Sequence, residues 1–282
     1  MTGINSLPSC LCSAGSELMD RIAKPTFGDR YLYKCGNCGL VRMHPLPVDE
    51  ADIDSIYQSE DYLGGIDQDE YRGYFTFFLG HLTEKLGIGK DARVLDFGAG
   101  KCFYQKFFLE TGFSDVHSLE INRKFVTFAR GTLGLDNVHL DAAALEPRSF
   151  DLVISNQVFE HLIDPIEILQ TSILPLVKPG GRVVFAVPNW ASWNRPILGK
   201  RWVGYSPEDH IWFFSPDSAR FIFSHVKDVE IEDITIGSSI DKPYSRYSPK
   251  GFVKKFYLKT VWVPIEAIGK GDQLVVTLRK TG

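Results

Sequence analysis

Val94-Leu95-Asp96-Phe97-Gly98-Ala99-Gly100 is the stretch on which the reading of this chain turns. An apolar run of strand-forming residues gives way to two glycines, and the segment from Phe103 to Glu110 that follows reads as a helix. Glycines at a strand-to-helix turn let the backbone approach a ligand closely, and sheets of this kind hold ligands at the carboxyl ends of their strands. A dinucleotide fingerprint, G-x-G-x-x-G, places its third glycine at position 103. Phe103 stands there and disfavours close pyrophosphate binding. Taken alone, the seven residues equally describe an ordinary β–α turn.

The pieces that follow narrow the reading. Glu120 ends a second strand, 20 residues beyond Gly100, where a carboxylate can accept hydrogen bonds from both hydroxyls of a ribose. Asp141-Ala142 follows a third strand and is placed to flank an adenine. Phe150-Asp151-Leu152-Val153-Ile154-Ser155-Asn156 makes a fourth strand that delivers Asn156 to the same edge. Strands are expected at 93–97, 116–119, 138–140, 150–155 and 182–187, the last entered from the Lys178-Pro179-Gly180-Gly181 turn. Helices are expected at 103–110, 124–131 and 165–176. This βαβα order predicts an α/β fold with a parallel sheet covered on both faces. The tail adds a helix at 217–224 and strands at 226–236 and 273–279.

Further out, Tyr71, Tyr74, Phe75, Phe78, Leu82 and Leu86 recur at helical spacing between residues 67 and 86. The expected organisation is a cysteine module over 1–47, a linker with N-terminal helices over 48–90, and a ligand-binding domain over 91–282. Residues 48–62 read as a short acidic linker or helix. With 282 residues and 44% hydrophobic content the chain can bury one large core plus a small appendage. No apolar run approaches the roughly 18 to 20 residues that span a bilayer, and the N-terminus lacks the features of a secretory signal. Five cysteines, an odd number, do not make a disulfide framework and suit a reducing, cytoplasmic setting. A net charge of -4 counts against long nucleic acid as the partner.

Together these segments resemble the class I S-adenosylmethionine-dependent methyltransferases over residues 91–189. The resemblance is closest to the branch of ubiquinone-biosynthesis O-methyltransferases and bacterial sugar and natural-product methyltransferases. It is carried by VLDFGAG at 94–100, SLEIN at 118–122, DAAAL at 141–145, FDLVISNQVFEHLIDP at 150–165 and LVKPGGRVVFAVPN at 176–189. It implies a Rossmann-like seven-stranded sheet whose last strand is inserted antiparallel, binding S-adenosylmethionine. Asp96, Gly98 and Gly100 would lie under the methionine part, Glu120 on the ribose and Asp141 near the adenine amine. Ile121 and Ala142 would sandwich the ring.

Methyl transfer to a hydroxyl gains from a base within hydrogen-bond reach. The candidates are His161, just after the fourth strand, and His210 with Glu208 in Glu208-Asp209-His210. In the resembling O-methyltransferases a Glu-x-x-Glu-His run at this place can hold a divalent cation. Here Glu160 and His161 match, but Gln157 replaces the first carboxylate, and a neutral amide is a poorer ligand for a hard cation. A purely structural role for Glu160-His161, capping the next helix, is equally open. Residues 190–214 form an insertion holding four of the five tryptophans. It is expected to face the substrate as a lid or wall; the alternative is that its aromatics pack the loop onto the sheet. The resembling branch often carries a histidine followed by aromatic residues here, as in His210-Ile211-Trp212-Phe213-Phe214.

Cys10 and Cys12 precede Cys35-Gly36-Asn37-Cys38-Gly39, a C-x-C pair before a C-x-x-C knuckle. The module resembles the zinc-binding N-terminal part of deoxysugar C-methyltransferases through Cys35–Gly39, Leu40-Val41 and Pro45. It departs where a Cys-Pro-x-Cys is expected and Cys10-Leu11-Cys12 stands. A structural zinc on Cys10, Cys12, Cys35 and Cys38 is expected, the alternative being a metal-free loop. Cys102 reads as a small buried residue. Residues 240–260 carry six lysines and arginines interleaved with aromatics, which suits a solvated helix face or peripheral contact with an anionic surface. The function expected is methylation of a hydroxyl or carbon on a small-molecule, nucleotide-sugar or glycan acceptor. A non-catalytic cofactor-binding scaffold and a protein or nucleic-acid methyltransferase are the alternatives.

Overall fold

Three antiparallel strands open the chain: β1 (Ser16–Lys24), β2 (Gly28–Cys35) and β3 (Val41–His44). The computed structural model describes residues 10–24, 28–46, 68–202, 204–207, 209–237 and 268–282. The segments 48–62 and 240–260, and Glu208, lie outside the described residues. Helix α1 (Gln68–Gly80) continues into a wider π turn, His81–Lys85. Then strands β4 (Arg93–Phe97), β5 (Asp115–Leu119), β6 (Val138–His139), β7 (Phe150–Asn156) and β8 (Val177–Pro188) alternate with helices. The helices are α2 (Phe103–Glu110), α3 (Arg123–Leu133) and α4 (Pro165–Ile168). After β8 come α5 (Asn194–Leu198), β9 (Trp212–Phe213), α6 (Pro216–Phe223), β10 (Val229–Gly237) and β11 (Gln273–Lys280).

The main sheet has seven strands in the order β10-β11-β8-β7-β4-β5-β6. β4 to β8 are mutually parallel, and β11 inserts antiparallel between β8 and β10. Period-two alternation along the strands divides their side chains between two cores. Leu152, Ile154, Val184, Ala186 and Val275 meet Phe75 and Phe78 of α1 and Phe107 and Phe108 of α2. Their neighbours Val153, Val183, Phe185, Leu274 and Val276 face α6 and the turn after α4 on the other side. Phe159 and Phe185 stack there with ring centroids 4.2 Å apart. Among the described residues no helix is long and apolar enough to cross a membrane.

Local signals set the helix starts. Asp164 caps α4 with its carboxylate accepting from Ile166 and Glu167, and Pro165 occupies the first turn. Ser215 and Ser218 form a reciprocal capping box on α6. The helix expected over 165–176 is instead one α turn followed by a π turn, Leu169–Ile173. The 178–181 turn also differs, because the strand begins before it: Val177 pairs with Phe150 and Arg182 with Leu152, and the four residues between loop out. A Cβ on Gly181 would lie 3.1 Å from the Asp151 carbonyl oxygen, so the loop closes tightly only on glycine.

The insertion after β8 is anchored by one carboxylate. Asp272, at the root of β11, is 4% exposed and accepts from Ser192 Oγ, from Asn194 Nδ2 at 2.8 Å and from Trp202 Nε1 at 2.9 Å. Its main-chain oxygen takes the Asn189 amide at 2.7 Å. An Asp272→Ala chain removes the shared acceptor of three buried donors and should lose on the order of 3 kcal/mol of stability. The check is the midpoint of urea unfolding; an unshifted midpoint would remove Asp272 as the anchor.

Candidate functional site

Because β4, β5, β6 and β7 are parallel, the residues after their carboxyl ends share one edge of the sheet. Gly98-Gly100 follows β4, Glu120-Ile121 follows β5, Asp141-Ala142 comes soon after β6, and Asn156 closes β7. The glycine turn is tied to the neighbouring strand by the amides of Gly98 and Ala99, which donate to Leu119 O at 2.9 and 3.1 Å. Gly98 and Gly100 have φ of 74° and 53°, in the left-handed region that favours glycine. The space above Gly100 is open for 4 Å around an added Cβ, whereas a Cβ on Gly98 would lie 2.7 Å from Val158 Cγ2. The loop after β7 therefore closes directly over the glycine turn.

Two carboxyls floor this edge in different electrostatic states. Asp96 is 3% exposed, and burial, reinforced by Glu120, pushes its pKa up to about 8. Glu120 is also raised by burial, but backbone amides oppose the shift. Its two oxygens accept from Gly100 N and Asn122 N, each at 2.7 Å. Ile121 is 63% exposed, a bare apolar side chain beside this carboxylate. Asp141 is exposed and accepts from Ala143 N at 2.9 Å, which caps a short turn that includes the half-buried Ala142. Asn156 is half-buried and meets Gln273 Nε2 at 3.5 Å.

A second group of polar side chains stands on the loop over Gly98. Glu160 is fully buried, and among the described residues neither carboxylate oxygen meets a side-chain hydrogen-bond partner. His161 and His210 meet edge to face with ring centroids 4.7 Å apart. His161 Nδ1 lies 3.1 Å from Asp209 O and 3.7 Å from Asp209 Oδ2, while His210 Nδ1 lies 3.1 Å from Gly204 O. Burial, aided by His161, pushes the His210 pKa down to about 4; burial lifts Glu160 to about 7 against the pull of His161. Gln157 turns its amide to Ala186 O at 3.3 Å. The structure thus brings His161 and His210 together across 49 positions of sequence. The carboxylate it places beside His161 is Asp209, the neighbour of the candidate Glu208, which lies outside the described residues.

The insertion's aromatics have a different surrounding from the acceptor wall expected of them. Trp190, Trp202 and Trp212 are 7, 1 and 3% exposed. Trp190, Trp202 and Phe213 pack with Ile22, Leu32, Val41 and Met43 of the N-terminal strands. Of the four insertion tryptophans, only Trp193 is half exposed. β9 pairs with β3, Val41 opposite Phe213 and Arg42 opposite Trp212, so the N-terminal sheet gains its fourth strand from the insertion.

The four module cysteines converge. Cys10 Sγ lies 3.4 Å from Cys38 Sγ, Cys12 Sγ lies 3.5 Å from Cys35 Sγ, and the four sulfurs are within 4.8 Å of one another. None is in a disulfide. Burial raises the Cys35 pKa, but the amides of Cys38 and Asn37 outweigh it and bring the thiol down to about 7. Such a set fits a tetrahedral thiolate-bound cation. Cys102 is fully buried away from it, beside the glycine turn.

A seven-stranded sheet with an antiparallel strand next to the edge, and a glycine turn joined to a carboxylate, defines the class I methyltransferase fold. The profile described as a methyltransferase domain matches residues 70–226, more than half of the chain, and the chain belongs to that family. A ubiquinone biosynthesis O-methyltransferase of Ralstonia nicotianae is 31% identical over 121 residues, covering 39% of this chain and 50% of that protein. The same enzyme of Neisseria meningitidis is 32% identical over 106 residues, covering 34% of this chain and 44% of that protein. The matched region thus spans half or less of these relatives' length. Among solved structures, the magnesium protoporphyrin IX methyltransferase of Synechocystis, with bound SAH, superposes with a TM-score of 0.54 at 14% identity. That match covers 82% of this chain and 100% of the other, a likeness of fold.

Asp96 yields a pH prediction. The folded carboxyl keeps its proton up to about pH 8, whereas the unfolded chain ionises near its ordinary value of 3.8. Its contribution to stability is therefore full below about pH 4 and is lost as pH rises toward 8. Asp96→Asn should flatten that limb, measured as urea midpoints between about pH 5 and 8. Parallel slopes in the two proteins would mean that Asp96 is ionised in the fold.

Proposed function

We propose that this chain is an S-adenosylmethionine-dependent methyltransferase acting on a hydroxyl, or a carbon, of a small-molecule, nucleotide-sugar or glycan acceptor. The observation that carries the reading is the closure of Val158 over Gly98, which sets the Glu160–His161–His210 group on the edge that holds the glycine turn and Glu120. The residues present fit the cofactor. Gly100 leaves open space, Glu120 offers ribose-binding oxygens, Ile121 offers an apolar face, and Asp96 supplies a buried acid beneath the turn. When bound, the cofactor supplies an activated methyl group on a sulfonium, so the protein's task is alignment and exclusion of water. With the cofactor held there, its methyl group would pass to the acceptor oxygen, and the acceptor proton would leave toward the histidine group. His161, the more exposed of the two histidines, is where that proton is received or the acceptor polarised.

The module's four cysteines hold a structural zinc in this reading, a closed site that stabilises the sheet rather than entering the chemistry. The sugar or glycan acceptor is favoured by the likeness of Cys35–Gly39 to deoxysugar methyltransferases. The ubiquinone-enzyme relatives support methyl transfer to oxygen.

Two substitutions separate cofactor binding from transfer. Glu120→Ala should weaken cofactor affinity by about 1–3 kcal/mol, since both the ribose partner and the clamp on Gly100 N are lost; calorimetry with S-adenosylmethionine reads this directly. His161→Ala should reduce turnover at least tenfold while cofactor affinity holds. The acceptor class is read from label transferred out of methyl-labelled cofactor into fractionated cell extract. Label in nucleotide-sugar or glycan fractions supports the proposal, and label confined to protein or nucleic acid overturns the acceptor assignment.

A further inference from the structure

β6 is two residues long and forms an outer edge of the main sheet. Ser118 N donates to Asn137 O at 2.8 Å and Glu120 N to His139 O at 2.9 Å. The backbone of His139 thus holds the same glutamate that clamps Gly100. Side chains add a second tie between the two strands. The rings of His117, buried on β5, and His139, half-buried on β6, stack with centroids 5.4 Å apart at an interplanar angle of 18°. His117 Nδ1 lies 3.1 Å from His139 Nε2, and the other nitrogen of His117, Nε2, lies 2.8 Å from Asp115 Oδ1. A carboxylate accepts, so His117 carries its proton on Nε2 and turns the Nδ1 lone pair to His139, whose Nε2–H donates. The line from His139 through His117 to Asp115 is therefore complete when both imidazoles are neutral.

One added proton leaves an N–H···N bond in place, because either ring can then be the donor and Asp115 faces the new charge. A second proton sets N–H against N–H at 3.1 Å, and the bond is lost. The surroundings oppose that second charge. Arg93 of β4 lies 3.5 Å from Asp115 Oδ2 and 3.3 Å from Glu146, and Arg130 of α3 donates to Val138 O at 2.6 Å. Phe150 of β7 meets the His117 ring edge to face at 5.4 Å. Burial, then His117 and the two arginines, hold the His139 pKa below its ordinary value of 6.5.

We propose that the His117–His139 pair is a pH-sensitive latch that ties β6 to β5 and opens when both rings are protonated, loosening Glu120 and the cofactor edge with it. Only the consequence for the cofactor rests on the methyltransferase reading. The fold favours the neutral rings, so the tie is whole above pH 6.5 and its stabilisation is lost as pH falls below that value. Asp96 acts in the opposite direction, since its contribution is lost as pH rises.

The test compares the full-length chain with His139→Gln, whose amide can donate to His117 Nδ1 but takes up no proton. Amide hydrogen exchange at Glu120, corrected for its intrinsic pH dependence, reads the tie with no ligand present. Between about pH 8 and about pH 5 the parent should lose about two- to tenfold of its protection relative to the variant. S-adenosylmethionine affinity, by calorimetry over the same range, should fall by a similar factor relative to the variant. Asp96 and Glu120 titrate in both chains, so the comparison cancels them. Imidazole nitrogen NMR of the parent chain needs no variant. Coupling between His117 Nδ1 and His139 Nε2 should be present at about pH 8 and absent at about pH 5. The latch is overturned if Glu120 protection changes with pH equally in both chains, or if the coupling persists at the lower pH. Equal loss of cofactor affinity in both chains, with the exchange difference present, overturns the link to the cofactor edge. A parent chain that binds no S-adenosylmethionine at either pH counts against the methyltransferase reading, while the exchange result still decides the latch.

Discussion

The main-chain oxygen of Glu160 accepts two hydrogen bonds, from Ile211 N at 2.7 Å and Trp212 N at 3.1 Å, and three parts of the molecule meet there. On one side is the loop that closes over Gly98. On the other is the insertion, whose next residues pair with β3 as β9. Met43 N donates to Ile211 O at 2.9 Å, Arg42 lies over the Trp212 ring at 5.0 Å, and Trp212 Nε1 reaches Leu162 O at 3.0 Å. The cysteine sheet, the insertion and the edge that carries the glycine turn are thus joined through buried backbone groups, which must find partners when they leave water. His210 is placed by the same seam, one residue before Ile211.

The seam also explains why so many aromatic residues sit between β8 and α6. A four-stranded sheet this small cannot bury enough apolar surface by itself. Trp190, Trp202 and Phe213 supply its core, and Cys10, Cys35 and Cys38 belong to the same apolar cluster as Ile211 and Trp212. The module and the insertion are therefore stabilised by each other, with Asp272 fixing the far end of the insertion to β11.

Three buried carboxyls line the ligand edge, and each is treated differently. Asp96 has its pKa raised until it holds its proton near neutrality. Glu120 is satisfied by two backbone amides. Glu160 meets no side-chain hydrogen-bond partner among the described residues, and burial raises its pKa to about 7. Burial raises all three, so their separate roles follow from neighbours rather than from residue type.

Local patterns determined a good deal. Short apolar runs named the strands, glycines marked the turn after β4, and the alternation of strands with helices pointed to a parallel sheet with ligands at one edge. Cysteine spacing grouped Cys10 and Cys12 with Cys35 and Cys38. These features are legible because they depend on residues close in the chain. Sequence did not disclose that 178–181 loops out of a continuing strand, that three insertion tryptophans face the cysteine module, or that His210 meets Glu160 and His161. Each depends on contacts between residues far apart, which the competition for buried space and backbone partners settles only when the whole chain is folded.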